Sequence, residues 1–117
     1  MSSRAEREAR GRRGEWLASW YLRLTGWRIV ASRVKTPRGE VDLVARRGRQ
    51  VAFVEVKWRA SAQDLDFAID AYRLRRVAAA AEALAARYVR NGDDMRIDVL
   101  LLAPGSFPRH LKNVWMP

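Results

Sequence analysis

The stretch Gly39-Glu40-Val41-Asp42-Leu43-Val44-Ala45-Arg46-Arg47-Gly48-Arg49-Gln50-Val51-Ala52-Phe53-Val54-Glu55-Val56-Lys57 decides how this chain is read. Two runs rich in Val, Leu and Phe flank Arg47-Gly48-Arg49-Gln50, a tight-turn signal, and together they predict a β-hairpin with strands over 40–46 and 51–58. A turn centred on Gly48 and Arg49 makes the numbers of paired residues sum to 97. This register sets Asp42 opposite Glu55 and Glu40 opposite Lys57, and the two-residue period of a strand puts all four on one face.

Acids inside strands this apolar need a reason, because a buried carboxylate is costly unless it is paired or bound to a cation. Directly opposed Cβ atoms lie about 4.5–5.5 Å apart, so Asp42 and Glu55 repel each other unless a proton or cation sits between them. A divalent ion held by the two carboxylates resolves the repulsion and leaves positions for water and a phosphate oxygen. Such an ion polarises a phosphodiester and activates water, and Lys57 is placed to orient that water or to stabilise charge building on phosphorus. The alternative is a cross-strand ion-pair cluster, with each pair contributing about 0.2–1 kcal/mol. It accounts for Glu40 and Lys57 but leaves Asp42 facing Glu55.

Outward from the hairpin, Trp16, Leu17, Trp20, Tyr21 and Leu24 recur at helical spacing before Gly26, predicting an amphipathic helix from Glu15 with both tryptophans in the core. Residues 1–13 carry five arginines, with Gly11 and Gly14 nearby, and are expected to form a flexible basic arm ahead of a single domain over 14–117. Residues 27–30 read as a first strand, followed by a turn at Pro37-Arg38-Gly39. A second helix starting at Ala68 or Ala71 and running to Arg90 has the apolar stripe Leu74, Val77, Ala78, Ala81, Ala85 and Tyr88, ended by Asn91-Gly92. Residues 95–103 form a buried strand and 110–115 a short edge strand. The order α-β-β-β-α-β-β predicts an α/β fold with a mixed sheet between helices. Trp58 is expected to pack on the sheet away from Lys57, and His110 to be a solvated loop residue.

The chain of 117 residues has 23 Lys and Arg against 13 Asp and Glu, a net charge of +10 and a pI near 11.3. That balance fits a polyanionic partner, nucleic acid first among them. There is no cysteine, so disulfides and thiolate metal sites are excluded, and oxygen ligands favour Mg²⁺ or Mn²⁺. No apolar run is long enough for a membrane helix and no secretory h-region is visible, so a cytoplasmic protein with no membrane partner is expected.

The blocks Gly39-Glu40-Val41-Asp42-Leu43-Val44 and Phe53-Val54-Glu55-Val56-Lys57 resemble the GEIDLI and FVEVK blocks of the YraN-like family of predicted endonucleases. That family is similar to archaeal Holliday junction resolvases, within the restriction-endonuclease-like PD-(D/E)XK superfamily. Gly14-Glu15 with Ala18 and Leu22 resembles its first-helix block and Arg96-Ile97-Asp98-Val99 its later RFDV strand, so the likeness spans residues 11–115. The resemblance implies a restriction-endonuclease-like fold and a metal-dependent endonuclease acting on DNA, branched or structured DNA included. Asp42 and Glu55, with Val56 between acid and lysine, would hold the metal, and Lys57 would be the catalytic lysine. Glu15 would support the metal or its waters, and Glu40 would position Lys57. Lys35, Arg38, Arg59, Arg73 and Arg76 are the expected nucleic-acid contacts, although Arg73 stands where Lys or Gln is expected and Trp58 where many relatives have a small residue. Related resolvases act as dimers, so a homodimer is expected. A non-catalytic nucleic-acid-binding protein that keeps the fold is the alternative.

Overall fold

The computed structural model describes residues 4–58 and 71–115, and the side chains of residues 12–58 and 72–115. The first helix, α1, covers Arg4–Leu24. It therefore starts well before Glu15 and runs through both glycines and across the expected boundary between arm and domain. Arg, Glu and Ala are good helix formers and offset the glycine cost of about 1 kcal/mol each. A Cβ at Gly14 would meet Trp58, Val56 and Leu102 at 3.7–3.8 Å, ordinary contact distances, so this position faces the sheet closely without excluding alanine.

A Schellman arrangement ends α1. Gly26 has φ +95° and donates to the Arg23 carbonyl at 3.1 Å, while Trp27 N–H reaches the Leu22 carbonyl at 2.8 Å. The helix docks through Gly14, Ala18 and Leu22, all buried, with Leu17 and Tyr21 half-buried. This corrects the expected core role of the tryptophans: Trp16 is 61% exposed and Trp20 47%. Small residues allow the close helix–sheet approach that two indoles would prevent.

Strands β1 (Arg28–Thr36), β2 (Gly39–Arg47) and β3 (Gln50–Trp58) form an antiparallel meander. Helix α2 (Ala71–Tyr88) crosses to β4 (Asp94–Leu102), which runs parallel to β3. The short β5 (Arg109–Leu111) pairs antiparallel with β4. The sheet order is β1-β2-β3-β4-β5, with α1 and α2 packed on opposite faces. The mixed α/β fold and its α-β-β-β-α-β-β order are those read from the sequence. Among the described residues, no helix is long and apolar enough to cross a membrane.

Side-chain parity follows the pleat. On β3, Val51 and Phe53 meet α2, whereas Ala52, Val54 and Trp58 meet α1. Trp58 thus packs on the face away from Lys57, as expected. From α2, Leu74, Val77, Ala80, Ala81 and Leu84 are buried in the core against the sheet. The helix ends at Tyr88, short of Asn91-Gly92, and Arg46 on β2 donates to the Tyr88 carbonyl at 3.0 Å and to Asp93 at 2.6 Å. The helix is seated tightly over the start of β2: a Cβ on Gly39 would fall 2.6 Å from the Arg76 carbonyl oxygen.

Strand β1 is longer than residues 27–30 and carries an irregularity that no local pattern announces. Its register against β2 shifts between Ile29 and Ala31, and Arg33 adopts a left-handed φ of 52°. His110 is likewise not a solvated loop residue. It lies on β5 with its side chain 4% exposed, Nε2 2.6 Å from Asp98 Oδ2 and its ring edge-on to Tyr21. Asp98, fully buried, also accepts from Arg96 at 2.8 Å and from Asn113 N–H at 2.9 Å. Burial alone would push the Asp98 carboxyl up, but the bonds from His110, Asn113 and Arg96 hold it below its ordinary value.

Candidate active site

The β2–β3 ladder follows the predicted register from Arg47↔Gln50 to Leu43↔Val54 and ends there. Asp42 and Glu55 therefore do not form the directly opposed ladder pair expected of them, nor do Glu40 and Lys57. Asp42 Oδ2 instead accepts the Val56 N–H at 2.8 Å. A main-chain donor on the β2 side of β3 is thus satisfied by a carboxylate, which roots Asp42 in the gap between the strands.

Burial pushes Asp42 up to about 6, the Val56 bond works against this, and the nearby carboxylates of Glu55, Glu15 and Glu40 push it further up. Four acids from α1, β2 and β3 therefore share one field. Like charges gathered around a buried group are the electrostatic signature of a cation or proton site.

Glu55 is almost fully buried. Its Oε1 lies 3.4 Å from Lys57 Nζ and 3.3 Å from Arg73 Nε, and its Oε2 is buried with no hydrogen-bond partner. An orphaned carboxylate oxygen beside Asp42 is what an oxygen-seeking divalent ion would satisfy. Among the described residues, no group of three or more His, Asp and Glu is close enough to form a ligand set by itself. The donor set fits Mg²⁺ or Mn²⁺ in the open mode, in which one or two carboxylates hold the ion and waters and phosphate complete it.

The remaining expected residues divide clearly. Glu40 is exposed and faces Lys35 across β1–β2, while Glu55 lies 3.4 Å from Lys57. Glu40, Glu55, Tyr72, Arg73, Arg76 and Val77 line a cleft of about 190 Å³ under α2. Arg73 and Arg76 thus stand at its rim, and α2 reaches the site. Arg38 lies in the β1–β2 turn, 3.9 Å from Glu82. Arg59, like the alternative helix start at Ala68, lies outside the described residues. A larger cleft of about 580 Å³, lined by Ala78, Met95, Ile97 and Trp115 among others, has Glu82 as its one acid.

Glu15 does not point alone into the site. Its Oε2 is 2.5 Å from Arg33 Nε, and Glu15, Glu40 and Asp42 together raise the Arg33 guanidinium. Arg33 was not singled out from the sequence. The register on either side of it, Ser32↔Leu43 and Val34↔Val41, sets it across from Asp42. Arginine in a strand is ordinary, and only the left-handed φ marks this one out.

Residues 14–102 match the profile of the uncharacterised protein family UPF0102. The chain belongs to that family. A family protein of Sphingopyxis alaskensis is 69% identical over 98% of this chain and 99% of its own length. One of Erythrobacter litoralis is 66% identical over 94% and 95%. This is the YraN-like family indicated by the hairpin blocks. Among solved structures, the chain resembles Hjc of Archaeoglobus fulgidus, a Holliday junction resolvase from an archaeal hyperthermophile. The TM-score is 0.61 with 22% identity, covering 86% of this chain and 73% of that one. The resolvase-like, restriction-endonuclease-like fold is therefore shared.

Proposed function

We propose that this chain is a divalent-metal-dependent endonuclease that hydrolyses DNA phosphodiester bonds, with branched or structured DNA as its substrate. The observation that carries the reading is the buried, unpartnered Oε2 of Glu55 beside an Asp42 raised to about 6 by burial and neighbouring acids. The resolvase fold and the net charge of +10 support DNA as the polyanion.

In this reading Asp42 and Glu55, with the main chain at Val56, hold Mg²⁺ or Mn²⁺. The bound ion supplies Lewis-acid polarisation of the phosphodiester and a more acidic water. The Val56 N–H fixes the Asp42 carboxylate, leaving its other oxygen to ligate. Lys57, held by Glu55, orients water and stabilises charge developing on the phosphate. Arg73 and Arg76 take phosphate oxygens at the cleft rim, with Lys35, Arg38 and Arg59 along the backbone path. Glu15 and Glu40 enrich the acidic field. A homodimer would present two such sites to two strands, and a cytoplasmic location belongs to the same reading.

A second reading, a DNA-binding protein without catalysis, is favoured by one observation: Lys57 and Arg73 already flank Glu55 Oε1. Mn²⁺ titration calorimetry on the wild type and Glu55→Ala separates the two. The nuclease reading expects saturable Mn²⁺ binding lost in Glu55→Ala, and Mg²⁺-dependent cutting of junctions or flaps lost in Asp42→Ala. No heat from the wild type, or equal cutting by Asp42→Ala, removes it.

A further inference from the structure

The outer face of α1 is aromatic and basic. Trp16 and Trp20, one helical turn apart, are 61% and 47% exposed and meet edge-to-face with ring centroids 6.3 Å apart. The Arg23 guanidinium lies 5.8 Å from the Trp20 ring centroid. Arg12, Arg13 and Arg23 are exposed along the same stretch. The one acid between Arg12 and Leu24 is Glu15, which is committed to Arg33. Helix packing does not need these indoles, because Gly14, Ala18 and Leu22 already fill the interface with the sheet.

Two rings with open faces among arginines match a ligand with its own π faces and negative charge. We propose that Trp16 and Trp20 form a stacking platform for unpaired DNA bases, with Arg12, Arg13 and Arg23 taking the phosphates of the same strand. The proposal deepens the nuclease reading and rests on its DNA-binding half, not on cleavage. Paired bases inside a duplex hide their faces, whereas bases at a branch or flap expose them, so the platform selects distorted over continuous DNA. A second copy of the chain fits less well, since each carries +10 and would bring its own arginines against these. Glu15 directly precedes Trp16 and is one of the acids acting on Asp42.

The test measures binding of a short labelled oligothymidylate, and of a duplex of equal length, to full-length wild type, Trp16→Ala/Trp20→Ala and Trp16→Phe/Trp20→Phe. The alanine pair is expected to bind oligothymidylate at least tenfold more weakly, with duplex affinity within twofold and the salt slope unchanged. The phenylalanine pair should recover most of the loss, since it keeps two π faces. Equal oligothymidylate affinity in wild type and alanine pair overturns the platform. So does unchanged affinity with a dimer-to-monomer shift in sedimentation, which assigns the face to a second copy. Mn²⁺ calorimetry on the same proteins keeps the two readings apart. Intact Mn²⁺ binding without a stacking effect sinks the platform alone, whereas a stacking effect in a wild type that takes up no Mn²⁺ sinks the nuclease alone.

Discussion

Asp42 accepts the Val56 N–H at 2.8 Å through Oδ2, where the β2–β3 ladder stops. One carboxylate thus ends a strand pairing, satisfies a half-buried main-chain donor and faces a field of acids. Its raised pKa follows, and so does the first prediction.

Asp42 binds a proton more readily folded than unfolded, where an aspartate titrates near 3.9. Between that value and about 6 the folded state holds the extra proton, so this group's contribution to stability falls as pH rises through the window. Asp42→Asn keeps an acceptor for Val56 and removes the charge. The metal-free variant is expected to melt above wild type at pH 7.5, with the gap closing toward pH 4. Mn²⁺ affinity of the wild type should fall as pH drops below about 6, because proton and metal compete. Melting curves and calorimetry across pH check both.

Arg33 occupies the left-handed region at φ 52°. A β-branched residue there is strained, and glycine is not. Arg33→Val is expected to be about 1–2 kcal/mol less stable than Arg33→Gly, read from urea midpoints. If the two are equal, the left-handed conformation is not imposed by the surrounding structure.

Gly39→Ala would place a methyl 2.6 Å from the Arg76 carbonyl, a main-chain atom that cannot move without shifting α2. A loss of about 1–3 kcal/mol is expected, and Arg73 should be displaced from Glu55. Denaturant unfolding measures the first, and Mn²⁺ affinity, altered without touching a ligand, reports the second.

Asp98 anchors His110, Arg96 and the Asn113 amide. Asp98→Ala leaves the half-buried Arg96 and the buried His110 ring without their carboxylate and is expected to cost about 3 kcal/mol. Because the folded carboxyl is held below its ordinary value, its stabilisation is present above pH 3.9 and is lost as pH falls through the folded pKa. Asp98→Asn should flatten that acid limb of the stability curve, while the limb above pH 5 keeps its shape.

Much of this protein was legible in one dimension. Hydrophobic periodicity and the Gly48 turn determined the element order and the hairpin register from Arg47↔Gln50 to Leu43↔Val54, because pleat and turn geometry are local. Three things were decided only in the folded chain. The ladder ends at Leu43↔Val54 because a side chain captures the Val56 amide, a competition no pattern encodes. Arg33, across from Asp42 in the register that runs from the Thr36↔Gly39 turn, takes a left-handed φ that no strand pattern announces. Finally, α1 offers two overlapping faces, Trp16–Trp20 and Gly14–Ala18–Leu22, at the same 3.6-residue period. Apolar spacing favours the larger side chains, but the folded chain buries Gly14, Ala18 and Leu22 against the sheet and leaves both indoles exposed.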